Sequence, residues 1–309
     1  MIKAFNALRY PRSTLAPLVL WVLTMLSLPL LGWILGEGYL LRGMSVGVLM
    51  QFAAVLVVLY NAWGLARTIR TFAIVTVLSY LAELLGSTTG FPFGKYHYTE
   101  VLQPQIAGVP LLIPLAWMMM LPPAWAIAQI ILSKNPNLNH DPAKEHGASV
   151  HEGTQHLHRA AFGAVQVRKT FKNPLWNFMS ARPVFLGGVM VKLGLLSALA
   201  FTAWDLFLDP QMVGWGFWAW DKPGLYFGIP LGNYLGWIVV SAVITLVANP
   251  KDLPIGPLAL VYALTWILQT IGQGIFWSQP GPALVGFLVS GVFIFLAWKN
   301  SNRRDIEED

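Results

Sequence analysis

Repeated apolar runs, each about 20 residues long and nearly free of charge, leave this chain one kind of fold. In a bilayer every backbone N–H and C=O must find its partner within the protein, and a continuous apolar run achieves this only as a helix. The runs fall at 13–36, 45–66, 71–87, 110–132, 184–208, 229–248, 255–277 and 281–298. They predict an all-α fold: a polytopic transmembrane helical bundle of about eight spans, one domain over 1–309. Only 11% of the residues are charged, against roughly 25% in soluble domains. The first run is long enough to span and reads as an uncleaved helix rather than a leader.

Charge placement predicts orientation. With the N-terminus in the cytoplasm, sixteen of the twenty Lys and Arg residues fall on the cytoplasmic side, and only Arg42, Lys95 and Lys222 fall opposite. Lys192 lies within a span and is expected to reach toward the cytoplasmic surface. This positive-inside bias places both termini in the cytoplasm and explains the net charge of +6 without nucleic acid. Cysteine is absent, which removes disulfides and thiolate metal sites.

Two segments align without a gap, "GVPLLIPLAW" at 108–117 and "GIPLGNYLGW" at 228–237. Each opens a helix running inward from the outer face, with proline in the first turn where its missing N–H is harmless. Each also follows an acid near the end of the preceding span and a loop rich in Gly and aromatics: "TGFPFGKYHYTEVLQPQIA" and "QMVGWGFWAWDKPGLYF". The reading is a parallel internal repeat of spans 3–4 and 5–6, with a site expected where the copies meet.

Acids in the spans are scarce. Glu83 and Asp205 lie inside, at similar depth below the outer face, and Asp209 lies at a boundary one turn from Asp205 on the same helix face. Ionisable residues in a span are costly and point to function. The alternative is a carboxylate capped by backbone N–H groups or reaching interfacial water. Around the acids sit Trp204, Trp218, Trp220, Tyr96, Tyr98, Phe93, Trp117 and Trp237. Aromatic faces stabilise a nearby cation, although Trp and Tyr also form the ordinary interfacial belt. Two carboxyl groups in dissimilar dry environments can divide the donor and acceptor roles of proton chemistry.

The polar insert at 133–182 carries five of the six histidines: His140, His146, His151, His156 and His158. "HEGTQH" lacks the HExxH spacing of zinc proteases. No metal is expected, and the insert reads as a cytoplasmic segment, partly mobile and partly interfacial. Walker and dinucleotide fingerprints are also absent.

The blocks "ELLGSTTGFPFGKYHYTEVLQPQIAGVPLLIPLAWMMM" and "AWDLFLDPQMVGWGFWAWDKPGLYFGIPLGNYLGW" resemble the integral-membrane carotenoid biosynthesis family, which includes carotenoid 1',2'-hydratases and bisanhydrobacterioruberin hydratases. The resemblance implies cofactor-independent addition of water across the C-1',2' double bond of a psi end group. It also implies a gamma-carotene- or lycopene-like carotenoid substrate, a lipid environment, neighbouring carotenoid-pathway enzymes as partners, and a prokaryotic cytoplasmic membrane. It assigns no catalytic residues. From the residues themselves, Asp205 is the expected acid and Glu83 the expected base, with the roles exchangeable and Asp209 as a third member. His97 and Asn233, with the two tyrosines, are expected to support the water. A transporter and a non-catalytic carotenoid- or lipid-binding scaffold remain as alternatives.

Overall fold

A computed structural model describes residues 12–133 and 188–307. Eight helices among these residues are long and apolar enough to cross a membrane. They are α1 (Arg12–Leu35), α2 (Glu37–Trp63), α3 (Leu65–Thr89), α4 (Leu112–Leu132), α5 (Gly188–Gly214), α6 (Leu231–Ala248), α7 (Ile255–Ile271) and α8 (Pro280–Glu307). A π-helical turn, Gly272–Phe276, extends α7. The expected histidine-rich insert, apart from Ser133, lies outside the described residues.

α4 is the central helix and packs against α2, α3, α5, α7 and α8. Its sequence explains this, because "AWMMMLPPAWAIA" is apolar all round and has no polar face to turn outward. α1 is peripheral: it lies along α2 and exposes Val19, Leu23, Leu26, Leu30 and Ile34. Gly194 brings α5 against α6, where a Cβ would lie 3.3 Å from Leu246.

α5 runs on to Gly214 instead of ending at 208, so Asp209 lies within the helix. Pro210 sits inside it and supplies no N–H for the carbonyl one turn earlier, that of Leu206. Tyr226 compensates by donating its hydroxyl to Leu206 O at 3.0 Å.

The described residues are mostly helical, as expected, and their loops add four short strands. β2 (Gln105–Ile106) pairs with β3 (Val109–Pro110) within one loop. β1 (Tyr96–Tyr98), from the α3–α4 loop, pairs antiparallel with β4 (Trp218–Trp220), from the α5–α6 loop. The aromatic–X–aromatic triplets "YHY" and "WAW" supply the alternation of a strand with one covered face.

Candidate functional site

The β1–β4 ribbon builds the roof of the site. Its register sets Tyr96 opposite Trp220, His97 opposite Ala219, and Tyr98 opposite Trp218. Alternate side chains point to opposite faces, so the four large aromatics turn toward the helices while His97 turns away. His97 is exposed, with Nδ1 3.5 Å from Asp221 Oδ1. The structure therefore places this expected water-orienting residue on the outside of the ribbon, away from the acids.

Beneath the roof, α3 presents Glu83, which is buried. Its Oε2 accepts hydrogen bonds from Tyr96 at 2.5 Å and Tyr98 at 2.8 Å, and its Oε1 accepts one from Trp117 Nε1 at 3.1 Å. Three donors converge on one carboxyl group, a hydrogen-bonding complement suited to an anion. Burial, followed by the adjacent Glu83 charge, pushes both tyrosine hydroxyls well above their usual pKa, so they act as donors. Phe93 wedges between α3 and α6 because both helices carry glycine there: a Cβ would approach its ring to 2.5 Å at Gly86 and to 2.7 Å at Gly236.

On the facing helix, Asp205 and Asp209 are fully or almost fully buried. They stand one turn apart on one face of α5. Asn233, from the first turn of α6, donates its amide to Oδ2 of both, at 3.1 Å to Asp205 and closely to Asp209. Among the described residues, Asp205 Oδ1, Trp204 Nε1 and the Tyr234 hydroxyl are buried without a hydrogen-bond partner.

Glu83 and Asp209 line one small cavity together with Tyr96, Tyr98, Asn233 and the aromatic groups of Phe93, Trp117, Trp218, Trp220 and Trp237. It has room for a water molecule. Ten of the thirteen residues singled out in the sequence thus meet at one place. Asp205 lies outside this lining, Trp204 lines a second cavity beside it, and His97 stands on the outer face of the ribbon. Trp117 and Trp237, which end the two aligned segments, stack with ring centroids 4.6 Å apart.

Sequence reasoning missed the neighbouring cavity, about 50 Å³, lined from α1, α2, α4, α5 and α7. Methionines 25, 44, 119 and 212 line it, and Ile113, Ala116, Leu208 and Trp218 are shared with the polar cavity. Apolar residues within spans look alike in sequence, so nothing there distinguishes a cavity wall from ordinary packing. The arrangement therefore sets an apolar chamber beside a water-sized polar one, with Glu83 and Asp209 on the polar side.

Comparisons with known proteins bear on what such a junction serves. The family described as "Carotenoid biosynthesis protein" matches residues 43–166 and 187–293, well over half of the chain. The bisanhydrobacterioruberin hydratase of Haloarcula japonica is 27% identical over 172 residues, 55% of this chain and 41% of that protein. The match thus spans less than half of that relative's length. No solved structure matches.

Proposed function

The chain belongs to the carotenoid biosynthesis protein family, and from that premise we propose that it adds water to the terminal C-1',2' double bond of an acyclic carotenoid end group. The observation that carries this reading is the junction of the two cavities. Hydration brings a hydrocarbon and a water molecule together, and here an apolar chamber and a polar one share four wall residues. The relative's name, a hydratase of a carotenoid, supports the same reaction class.

In this mechanism the end group rests against Ile113, Ala116, Leu208 and Trp218. The aspartate pair carries one proton, and Asp209, which lines the polar cavity, delivers it to C-2'. The π electrons of the double bond form the new C–H bond and leave a tertiary cation at C-1'. Trp218 and its aromatic neighbours face that cation and favour it by about 0.5–2 kcal/mol per well-placed ring. Water in the polar cavity attacks C-1' through its oxygen, and Glu83 takes the proton released. Once product leaves and a second water enters the cavity, the proton returns through it from Glu83 to the aspartate pair, which closes the balance without a cofactor. Asp205 acts through Asn233 and Asp209 and serves as a positioning residue. The roles first expected for the two α5 acids are thereby redistributed: Asp209 touches the reacting atoms and Asp205 supports it.

The test is expression in a lycopene-accumulating bacterial host, with the extracted pigments weighed by mass spectrometry. The reading expects products heavier by one or two waters from the wild type and none from Glu83→Gln or Asp209→Asn. Unmodified pigment in cells that hold well-inserted wild-type protein would overturn it.

A further inference from the structure

A polyene dissolved in lipid needs a way into the inner chamber, and one helix junction supplies it. Between α1 and the end of α7 runs an apolar groove of about 280 Å³, with Leu26, Pro29 and Leu30 on one wall and Ile271, Gly272 and Phe276 on the other. Leu26, Leu30 and Ile271 are exposed on the membrane-facing side of the bundle. Met25 lines both this groove and the methionine-rich chamber. Met25 thus stands where the lipid-facing groove and the inner chamber come together.

The surroundings of Met25 suit a swinging gate. Its sulfur faces Gly47 of α2, where an added Cβ would lie only 3.0 Å away, so the glycine leaves the thioether its place. Methionine is unbranched and changes rotamer readily. The far side of the groove ends in the π-helical turn Gly272–Phe276, a local departure from α geometry of the kind that accompanies functional sites. Trp33 of α1 packs edge-on against Phe276, 5.4 Å between centroids, and closes the end of the groove. From the other direction the acids are roofed: Trp218, Trp220 and Phe93 are all buried beneath or within the ribbon.

Resting on the proposed hydration reading for its substrate, we infer that the carotenoid enters sideways from the bilayer between α1 and α7. Its end group passes Met25 into the methionine-lined chamber, and the rest of the polyene trails through the groove into lipid. The ligand class is a long, linear, unsubstituted hydrocarbon, since the groove offers almost no polar partner. An end bearing a bulky ring would have to clear Met25 and fit against Ile113 and Ala116.

The chain contains no cysteine, so a single introduced thiol reports on its own position. Met25→Cys and, as a control on the outward face of the same helix, Val19→Cys are placed in the full-length protein in lipid nanodiscs and labelled with a membrane-soluble maleimide. Lycopene at about ten times its Kd is expected to slow labelling of Met25→Cys about tenfold, because occupied sites are withdrawn from reaction in that proportion. Labelling of Val19→Cys should stay unchanged. Equal rates with and without lycopene at Met25→Cys, in protein that hydrates lycopene, would overturn the route. Protection at Met25→Cys in protein that fails to hydrate lycopene would leave the route standing and overturn the hydration reading instead. As a second arm, Gly47→Leu should lower kcat/KM for the long substrate at least tenfold, and an unchanged value would count against the gate.

Discussion

The indole of Trp117 lies nearly parallel to that of Trp237, with planes 21° apart, while its Nε1 donates to Glu83 at 3.1 Å. One side chain therefore couples the packing of α4 on α6 to the placement of a carboxylate on α3. An offset aromatic pair contributes about 0.5–1.5 kcal/mol beyond its buried area. Substitution Trp117→Phe keeps a ring in the stack and removes the donor. A hydrogen bond to a charged group is worth about 1.5–3 kcal/mol, so hydration should fall by about one to two orders of magnitude while the protein still purifies as a folded species. Pigment conversion at matched protein levels checks this.

The two α5 acids should separate in their effects. Asp209→Asn removes the group that lines the polar cavity and should slow the reaction by about 10²–10⁴, the range of a lost general acid. Asp205→Asn leaves Asp209 in place and should cost less. Initial rates of the two variants, side by side, decide the order; the reverse order would return the acid role to Asp205.

Asn233 holds both aspartates through one amide. Asn233→Ala withdraws that donor from two buried carboxyl groups. The unpaired groups should lower stability by about 1–3 kcal/mol, read as a drop in the thermal unfolding midpoint in detergent. Hydration should fall with it, and restoring an amide with Asn233→Gln should recover stability only in part because the longer side chain is out of register.

Phe93 is clamped between Gly86 and Gly236. At Gly236 an added methyl would also lie 2.9 Å from Pro92 O, which is backbone and cannot swing aside. Gly236→Ala should therefore destabilise the protein by about 1–3 kcal/mol, as overpacking of a tight contact does, and should lift the ribbon from the acids. A lower unfolding midpoint together with weaker activity is the expected result. Gly38, whose Cβ would meet nothing within 4 Å, is the tolerant comparison.

Alkaline pH should weaken the fold through the roof tyrosines. Burial raises the hydroxyls of Tyr96 and Tyr98 above the unfolded value of about 10. Their contribution is therefore complete below about pH 10 and is lost as the pH climbs, because the unfolded chain releases protons that the folded one retains. Between about pH 9 and about pH 11 the unfolding midpoint should drop. Tyr98→Phe should show a shallower drop than the wild type, even though it starts from a lower midpoint.

Composition and spacing were sufficient for the bundle. A long apolar run in lipid has only helical backbone pairing open to it, so eight helices could be read from local hydropathy with errors only at their ends. The acids were legible for a similar reason: a charge in an apolar span stands out in one dimension. Glu83, Asp209 and Asn233 were marked by type, and the aromatics by density. The side of the site on which each one falls depended on contacts between distant segments. The pairing of "YHY" with "WAW" turned His97 outward and Tyr96 and Tyr98 onto Glu83. The continuation of α5 through Pro210 put Asp209, rather than Asp205, at the cavity wall. The chamber behind Met25 had no sequence signature at all, because a void is a property of how apolar surfaces fail to meet, and residues that pack and residues that line a space are chemically the same. Sequence alone determined which segments are long and apolar enough to cross a membrane and which polar residues lie among them; tertiary packing alone decided which of those residues line one cavity together, because that depends on contacts between distant segments.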